Sequence, residues 1–538
     1  MIGIKKAIKS NPIRKMIYNT PPSLVGGIFL YGKIGSGKST GMKTLAENFH
    51  DHPDRRYKIF HLWGGDRTEQ LFWTLPSRDT GYWSRAKRVL KLNQEGPKQY
   101  KVNLLYPMTK NLRHKLPQLP PHVHSKIFTI PIEDVLLEDI ALVGGLASQT
   151  HEYLWREALS KLKRNQNGAY LIKIFKDLGG EGNSLYKNFV HPLIKHRLLQ
   201  SKNYSYNIDL TAEAKDRETI TVLVLDFIDK EFRLFVLGWI LRKINELIDN
   251  GKIPTRNIIM IQEAAEFFRA TDDSVQPERY KIFRRYLAQY VRMGRRGMHL
   301  FMDAQSPSET RGMVDGSQDL TIFGKLVSEA DKEAGTKQMY KDNLISKKQV
   351  QDLSTLNPGE YYVAESGKKV LKRYLLLPRS MFWKKGYGNF YDSVWKNLVD
   401  EWKDVRPIMD EIEDDYQNAK KEIEKTERQK IENARMLRIA KEQEAEKQRI
   451  ARARKTALLR ERVKQEKRKA VAEEREKTDL EQMAEEVNLT PVPVTVAPVI
   501  VVSSSTSENV KEESIKTVKD SNKHTESSGI DDPDWDDY

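Results

Sequence analysis

The chain has 538 residues, a net charge of +16 and a pI of about 9.4, with 39% hydrophobic and 31% charged residues. That length allows two to four domains, the basic balance favours a polyanionic partner, and the charged fraction implies that only part of the chain builds a core. There is no cysteine, which excludes disulfides and thiolate metal sites. No apolar run reaches the roughly 20 residues that a membrane-spanning helix needs.

The first segment, residues 1–23, is basic and amphipathic and lacks the continuous apolar centre of a signal peptide. It reads as a short surface helix, with a membrane surface or DNA as alternative contacts. A cytoplasmic location is expected. Peripheral membrane association, or a host cytoplasm for a viral protein, remains compatible with it.

Gly27 to Tyr31 is a short apolar run expected to form a buried strand, and Thr40 to Phe49 sets Met42, Leu45, Ala46 and Phe49 on one helical face. Between them Gly32 to Ser39 reads GKIGSGKS and meets the pattern G-x-x-x-x-G-K-[ST] at every fixed position. Strand, glycine loop and helix together form a phosphate cradle. Loop amides point inward, and the helix start adds partial positive charge. Gly32, Gly35, Ser36, Gly37, Lys38, Ser39 and Thr40 are the candidate nucleotide-binding residues. Lys38 is placed to reach the β- and γ-phosphates of ATP, and the Ser39 hydroxyl to hold Mg²⁺.

Further strands are expected at Tyr57–Trp63, Val102–Tyr106 and Ile127–Ile132, with a proline-rich loop from Leu116 to Pro121 and an irregular stretch over 67–97. These complete a first core segment, 24–132. Residues 133–205 carry apolar residues at helical spacing and read as an inserted helical subdomain. Sheet signals return over 206–385. Strands are expected at Thr219–Asp226, Asn257–Ile261, Met298–Met302, Thr321–Val327 and Tyr361–Ala364, with helices at Phe232–Asp249 and Tyr280–Met293. Apolar strands alternating with helices predict a mainly parallel sheet covered on both faces. Ligands in such sheets sit at the carboxyl ends of strands, where Lys38, Glu263 and Gln305 all fall. Glu263 is placed to polarise a water and Gln305 to sense a γ-phosphate.

A linker over 386–407 leads to a segment, 408–487, of Glu, Lys, Arg, Gln and Ala without Pro or Gly. It predicts a long charged helix or weak coiled coil, either a spacer or an arm for nucleic acid or a protein partner. The last stretch, 488–538, is Ser-rich with ten acids against four lysines. It is expected to be disordered and to serve as a docking peptide or a solubilising tail.

The segments IIMIQEAAEFF at 258–268 and RMGRRGMHLFMDAQSPSE at 292–309, with the glycine loop, resemble the HerA/FtsK branch of P-loop ATPases. VirD4 and VirB4 coupling ATPases and viral genome-packaging ATPases are relatives of that branch. VLVLDFIDKEFRLFVLGWILRKI at 223–245 is similar to the strand–helix unit before its acidic motif, and the resemblance covers residues 24–385. It implies a RecA-like P-loop NTPase fold with an inserted all-helical subdomain, and a homo-hexameric ring that moves double-stranded DNA with ATP and Mg²⁺. It further implies Lys38 and Ser39 as the first nucleotide motif, Glu263 as the catalytic acid and Gln305 as the polar sensor. Arg295 or Arg296 would be the arginine finger reaching a neighbouring subunit. Two departures stand out. The family usually has Asp before the catalytic glutamate, and this chain has Gln262, a weaker orienter of a Mg²⁺-bound water, with Asp226 as the other acid placed to help. The loop also comes early in the sequence, so the N-terminal barrel or membrane spans of many relatives are not expected. An ATPase driving protein secretion or filament assembly, and a nucleotide-binding scaffold with little turnover, are the rival expectations.

Overall fold

Runs such as Gly27–Tyr31 and Asn257–Ile261 are apolar at nearly every position, and this requires cover on both sides of the strand rather than one. A computed structural model meets that requirement. It describes residues 26–52, 56–63, 73–90, 96–110, 112, 115–118, 122–144, 148–164, 166–225, 227–264, 277–308, 310, 318–374, 376–381 and 401–485. The segment 1–23, residues 386–400 of the expected linker and the acidic tail 488–538 lie outside the described residues.

In chain order, β1 (Gly27–Tyr31), α1 (Lys38–His50), β2 (Lys58–Trp63), α2 (Thr80–Leu90), β3 (Lys101–Pro107), β4 (Lys115–Gln118), β5 (Val123–Phe128) and β6 (Ile130–Pro131) come first. A run of helices follows, α3 (Leu137–Gly144), α4 (Gln149–Lys161), α5 (Gly168–Leu178), α6 (Gly180–Leu185) and α7 (His191–Lys195). Next are β7 (Leu199–Gln200), α8 (Leu210–Lys215), β8 (Thr219–Val224), α9 (Lys230–Asp249), β9 (Asn257–Ile261), α10 (Pro277–Arg292) and β10 (Met298–Ala304). The remainder is β11 (Gln318–Phe323), α11 (Glu329–Lys341), α12 (Lys347–Asp352), β12 (Glu360–Glu365), β13 (Leu371–Tyr374), β14 (Glu401–Asp404) and α13 (Arg406–Glu485).

Among the described residues one ten-stranded sheet runs in the order β13-β12-β11-β1-β10-β9-β2-β8-β3-β5. It is parallel from β11 to β5, while β12 pairs antiparallel with β11 and with β13, so that β12 alone runs against the rest. The period of two along each strand sends alternate side chains into two cores. Ile28, Leu30, Ile258, Met260 and Phe301 face one core, together with Met42, Leu45 and Phe49 of α1. Phe29, Tyr31, Ile259, Ile261 and Met302 face the other, together with α9 and the helices from α3 to α7. Gly238 lets α9 approach α3 closely, since a Cβ there would lie 2.1 Å from Leu142 Cδ1. The buried pair of Arg242 and Asp139, Nε to Oδ1 2.9 Å, fixes the same contact.

The chain divides into two units, 1–436 and 437–538. In the first, the start of α13 buries Ile412 in one core and Tyr416 in the other. Arg197 grips Glu413 through Nε and Nη2 at 2.8 and 3.0 Å and stacks 3.6 Å from the Tyr416 ring centroid. In the second, the helix continues to Glu485 with Leu437, Ile450, Leu458 and Val463 exposed.

Several elements differ from expectation for local reasons. Helix α2 lies in the stretch expected to be irregular. Its buried residues Tyr82, Trp83 and Ala86 pack with Leu376 and Leu377 in a small cluster apart from the two main cores, among several Lys and Arg. Strand β5 starts at Val123 rather than Ile127 because it is a sheet edge, where polar residues alternate with apolar ones. The proline-rich piece is in part a strand, β4, paired antiparallel with β14 so that Pro117 lies opposite Trp402. A two-stranded ribbon is one of the few sheet settings that tolerates a residue without an N–H.

Candidate functional site

Because β1, β10 and β9 are parallel neighbours, their carboxyl ends open on one rim. Leu30 is level with Asp303, and Met302 with Ile261, so the residues after β9, Gln262 and Glu263, stand beside Asp303 and Ala304. The loop from Gly32 to Gly37 leaves β1 at that rim and delivers Lys38 into the first turn of α1. The Gly32 N–H donates to the Ala304 carbonyl at 3.2 Å, which brings Gln305 beside the loop.

The loop's shape follows from its glycines. Gly37, the residue before α1, has φ of 91°, in the left-handed region, and a Cβ there would meet the Tyr361 hydroxyl at 2.8 Å. That hydroxyl donates to the Gly37 carbonyl at 2.8 Å, so β12 backs the loop. The start of α1 has no side-chain cap and no acid in its first turn. Its free amides and dipole are therefore left for an anion. Lys38 is buried, Ser39 and Thr40 are half-buried, and the Ser36 Oγ is buried without a partner.

Glu263 follows β9 with φ of 49°, a left-handed backbone that a non-glycine residue adopts at a cost. Its N–H donates to Asp303 Oδ1 at 2.5 Å, and its side chain is exposed at the rim. Asp303 is buried, and its other oxygen, Oδ2, has no hydrogen-bond partner. Burial raises its carboxyl to about 6, against the opposing pull of the Lys38 charge and the Glu263 amide. The Lys38 ammonium is thus near enough to act on Asp303.

Gln262 does something different. Its Oε1 lies 2.7 Å from His61 Nε2, and the Trp73 indole donates to His61 Nδ1 at 3.0 Å. An indole N–H only donates, so Nδ1 accepts and Nε2 carries the proton that goes to Gln262. Burial holds His61 down at about 3, which keeps the ring neutral. The carbonyl oxygen of Gln262 is committed to β2.

The other expected site residues are placed as follows. Gln305 is exposed just after β10, at the rim of Lys38. Arg296 precedes β10 at the opposite rim, roughly 20 Å away by strand length, and pairs with Asp249 at 3.1 Å. Arg295 shares that turn, but its side chain lies outside the described residues, as does the whole of Asp226. The structure therefore brings Lys38, Ser39, Glu263 and Gln305 together and leaves Arg296 apart from them. Sequence reasoning overlooked Asp303, His61 and Tyr361. For Asp303 a signal existed, namely an acid inside an otherwise apolar strand.

Among the described residues no group of three or more His, Asp or Glu side chains is arranged to hold a metal. A divalent cation here would arrive on the phosphates, and the Ser39 hydroxyl and Asp303, through its unpartnered Oδ2, fit that role. No helix among the described residues is long and apolar enough to cross a membrane.

The sheet order around β1 and the loop after it define a RecA-like P-loop nucleoside triphosphatase fold. No family model matches the sequence, and no curated protein matches it. Among solved structures, VirB4 of Thermoanaerobacter pseudethanolicus is similar at 12% identity and a TM-score of 0.39, over 66% of this chain and 90% of that one. The bacterial conjugative coupling protein TrwBdeltaN70 is similar at 10% identity and a TM-score of 0.41, over 67% and 87%. The genome packaging NTPase B204 from Sulfolobus turreted icosahedral virus 2, in complex with sulfate, is similar at 14% identity and a TM-score of 0.21, over 33% and 76%.

Proposed function

We propose that this chain is an ATP-hydrolysing motor that moves double-stranded DNA, working as a ring oligomer of the HerA/FtsK type. The observation that carries the reading is the rim itself, where an uncapped helix start with Lys38 and Ser39 meets Glu263 and Gln305 from neighbouring strands. Lys38 binds the β- and γ-phosphates, and the α1 amides add hydrogen bonds to them. Glu263 orients and polarises the attacking water, and the Gln305 amide hydrogen-bonds the γ-phosphate. A magnesium ion held by the phosphates and Ser39 would supply charge neutralisation. Arg296, at the rim opposite its own loop, or Arg295 would serve the nucleotide of the next copy in a head-to-tail ring, Arg296 exchanging its exposed pair with Asp249 for the phosphates.

The DNA half of the reading draws on charge. Between Lys447 and Lys469, α13 carries eleven Lys or Arg and two acids, Glu461 and Glu466, on an exposed helix. Such a block contacts phosphates without reading sequence. The test is ATP turnover with and without double-stranded DNA across a salt series, beside a mass measurement of the assembly. DNA-stimulated turnover that falls steeply with salt, in a ring-sized oligomer, is expected. Turnover no greater than that of Lys38→Ala, with DNA present, would end the motor reading. Turnover indifferent to DNA would move it to an ATPase acting on protein.

A further inference from the structure

The site lacks a carboxylate at the position before Glu263, where Gln262 stands, and Gln262 is turned to His61. Yet a carboxylate stands at the same level one strand nearer the loop. We propose that Asp303 is the acid of this site. From β10 it would both fix the Glu263 backbone and balance the divalent cation that enters with a nucleoside triphosphate.

Three observations carry this inference, which rests on the nucleotide-binding reading above. The first is register. Asp303 is paired with Leu30 of β1 and follows Met302, which is level with Ile261, so it lies between the loop strand and Gln262. The second is the bond from the Glu263 amide to Oδ1 at 2.5 Å, which anchors a left-handed residue that would otherwise relax. The third is Oδ2, buried with no partner in a side chain 1% exposed. Buried carboxylate oxygens are nearly always met by a donor or a cation. Lys38 is the cation whose charge acts on Asp303, and a lysine drawn to the β- and γ-phosphates would leave that oxygen to a magnesium-bound water or to the ion's field.

A purely structural role makes a different prediction. If Asp303 only holds Glu263, asparagine serves as well, because its carbonyl oxygen accepts the same N–H and only the charge is lost. The experiment measures binding of a non-hydrolysable ATP analogue to the full chain, with Mg²⁺ and with EDTA. In the wild type Mg²⁺ should tighten binding. In Asp303→Asn that tightening should shrink about tenfold, the loss of one charge-assisted bond, while binding in EDTA stays equal or improves. Glu263→Gln should keep the wild-type Mg²⁺ dependence. Thermal unfolding without nucleotide should show Asp303→Asn at least as stable as the wild type. Asp303→Ser, smaller and neutral, gives the same readout if the asparagine variant does not fold. Wild-type Mg²⁺ dependence in either neutral variant overturns the inference and leaves the nucleotide site standing. Lys38→Ala binding the analogue as well as the wild type would remove both.

Discussion

Helix α1 ends in two unlike environments. At its carboxyl end every acid is engaged. Glu47 accepts from the Arg379 and Ser380 amides at 2.6 and 3.0 Å and from the Ser380 hydroxyl. Asp51 accepts from Arg379 at 2.7 Å, and from Lys98 and Tyr100 at 2.6 Å each. Its carboxyl is held below the usual range: burial raises it, but Arg379 and Lys98 outweigh that. At the amino end the helix is uncapped, Ser36 Oγ and Asp303 Oδ2 have no partners, and Glu263 is left-handed. The contrast is one of charge: the acids at the carboxyl end are met by donors of the chain, whereas one oxygen of the buried Asp303 is not, and neutral Asn48, near the carboxyl end, is itself buried with neither amide atom partnered.

This contrast can be broken by exchanging the expected effects at the two ends. The largest should come from Glu263→Gln. Turnover should fall about a thousandfold, the scale of losing a general base, while ATP binding and unfolding temperature stay near wild type. A steady-state ATPase assay with an equilibrium binding measurement checks it, and unchanged turnover would take Glu263 out of the mechanism. Next is Arg379→Ala at the other end. Asp51 keeps Lys98 and Tyr100 but loses the Arg379 bond to Oδ2, and the Gly96 carbonyl loses the Arg379 Nε donor, which together should cost about 3 kcal/mol of stability, read by urea unfolding. Nucleotide affinity per folded molecule should not change. A loss of affinity as large as the loss of stability would mean that the two ends are not independent.

A smaller effect concerns pH. Asp303 is raised from 3.8 to about 6 in the folded chain. A raised carboxyl favours the folded state below pH 4, and that contribution disappears as pH rises through 6, worth at most about 3 kcal/mol. Asp51 and Glu413, both lowered, act in the opposite direction at lower pH. The difference between wild type and Asp303→Asn isolates the first term. The nucleotide-free variant should gain relative stability between pH 4 and 6 and hold it at pH 7. A flat difference across that range would mean that the carboxyl is not penalised.

The parts of this site that could be read from the residues are those fixed by a local pattern. GKIGSGKS needs only its neighbours to make a cradle, and the apolar runs of β1, β9 and β10 announce burial on both faces. Glu263 and Gln305 were legible because both follow such runs directly. What stayed hidden depends on register between distant strands. Nothing near Gln262 says that its oxygen will meet His61, 201 residues away. Nothing near Asp303 says that it will stand level with Leu30. The same holds for β4 and β14, whose pairing joins residues 115–118 to 401–404, far apart in the first unit.

Tyr361→Phe is the mildest way to sharpen the comparison. The Tyr361 hydroxyl donates to the Gly37 carbonyl, but that carbonyl also accepts the Gly41 N–H at 2.8 Å, so removing the hydroxyl leaves no buried acceptor without a partner. The ring stays packed in the core beside Ile28 and Val363. The expected loss is therefore that of a single net hydrogen bond, about 1 kcal/mol. Its effect on nucleotide should be smaller still, because α1 and the left-handed Gly37 keep their own geometry. The informative partner is Gly37→Ala, whose new methyl would strike that same hydroxyl. If the hydroxyl is the obstacle, Gly37→Ala should be less damaging in the Tyr361→Phe background than alone, measured as nucleotide affinity in a double-mutant cycle. If the two changes simply add, the backbone conformation at Gly37, and not the tyrosine behind it, sets the loop.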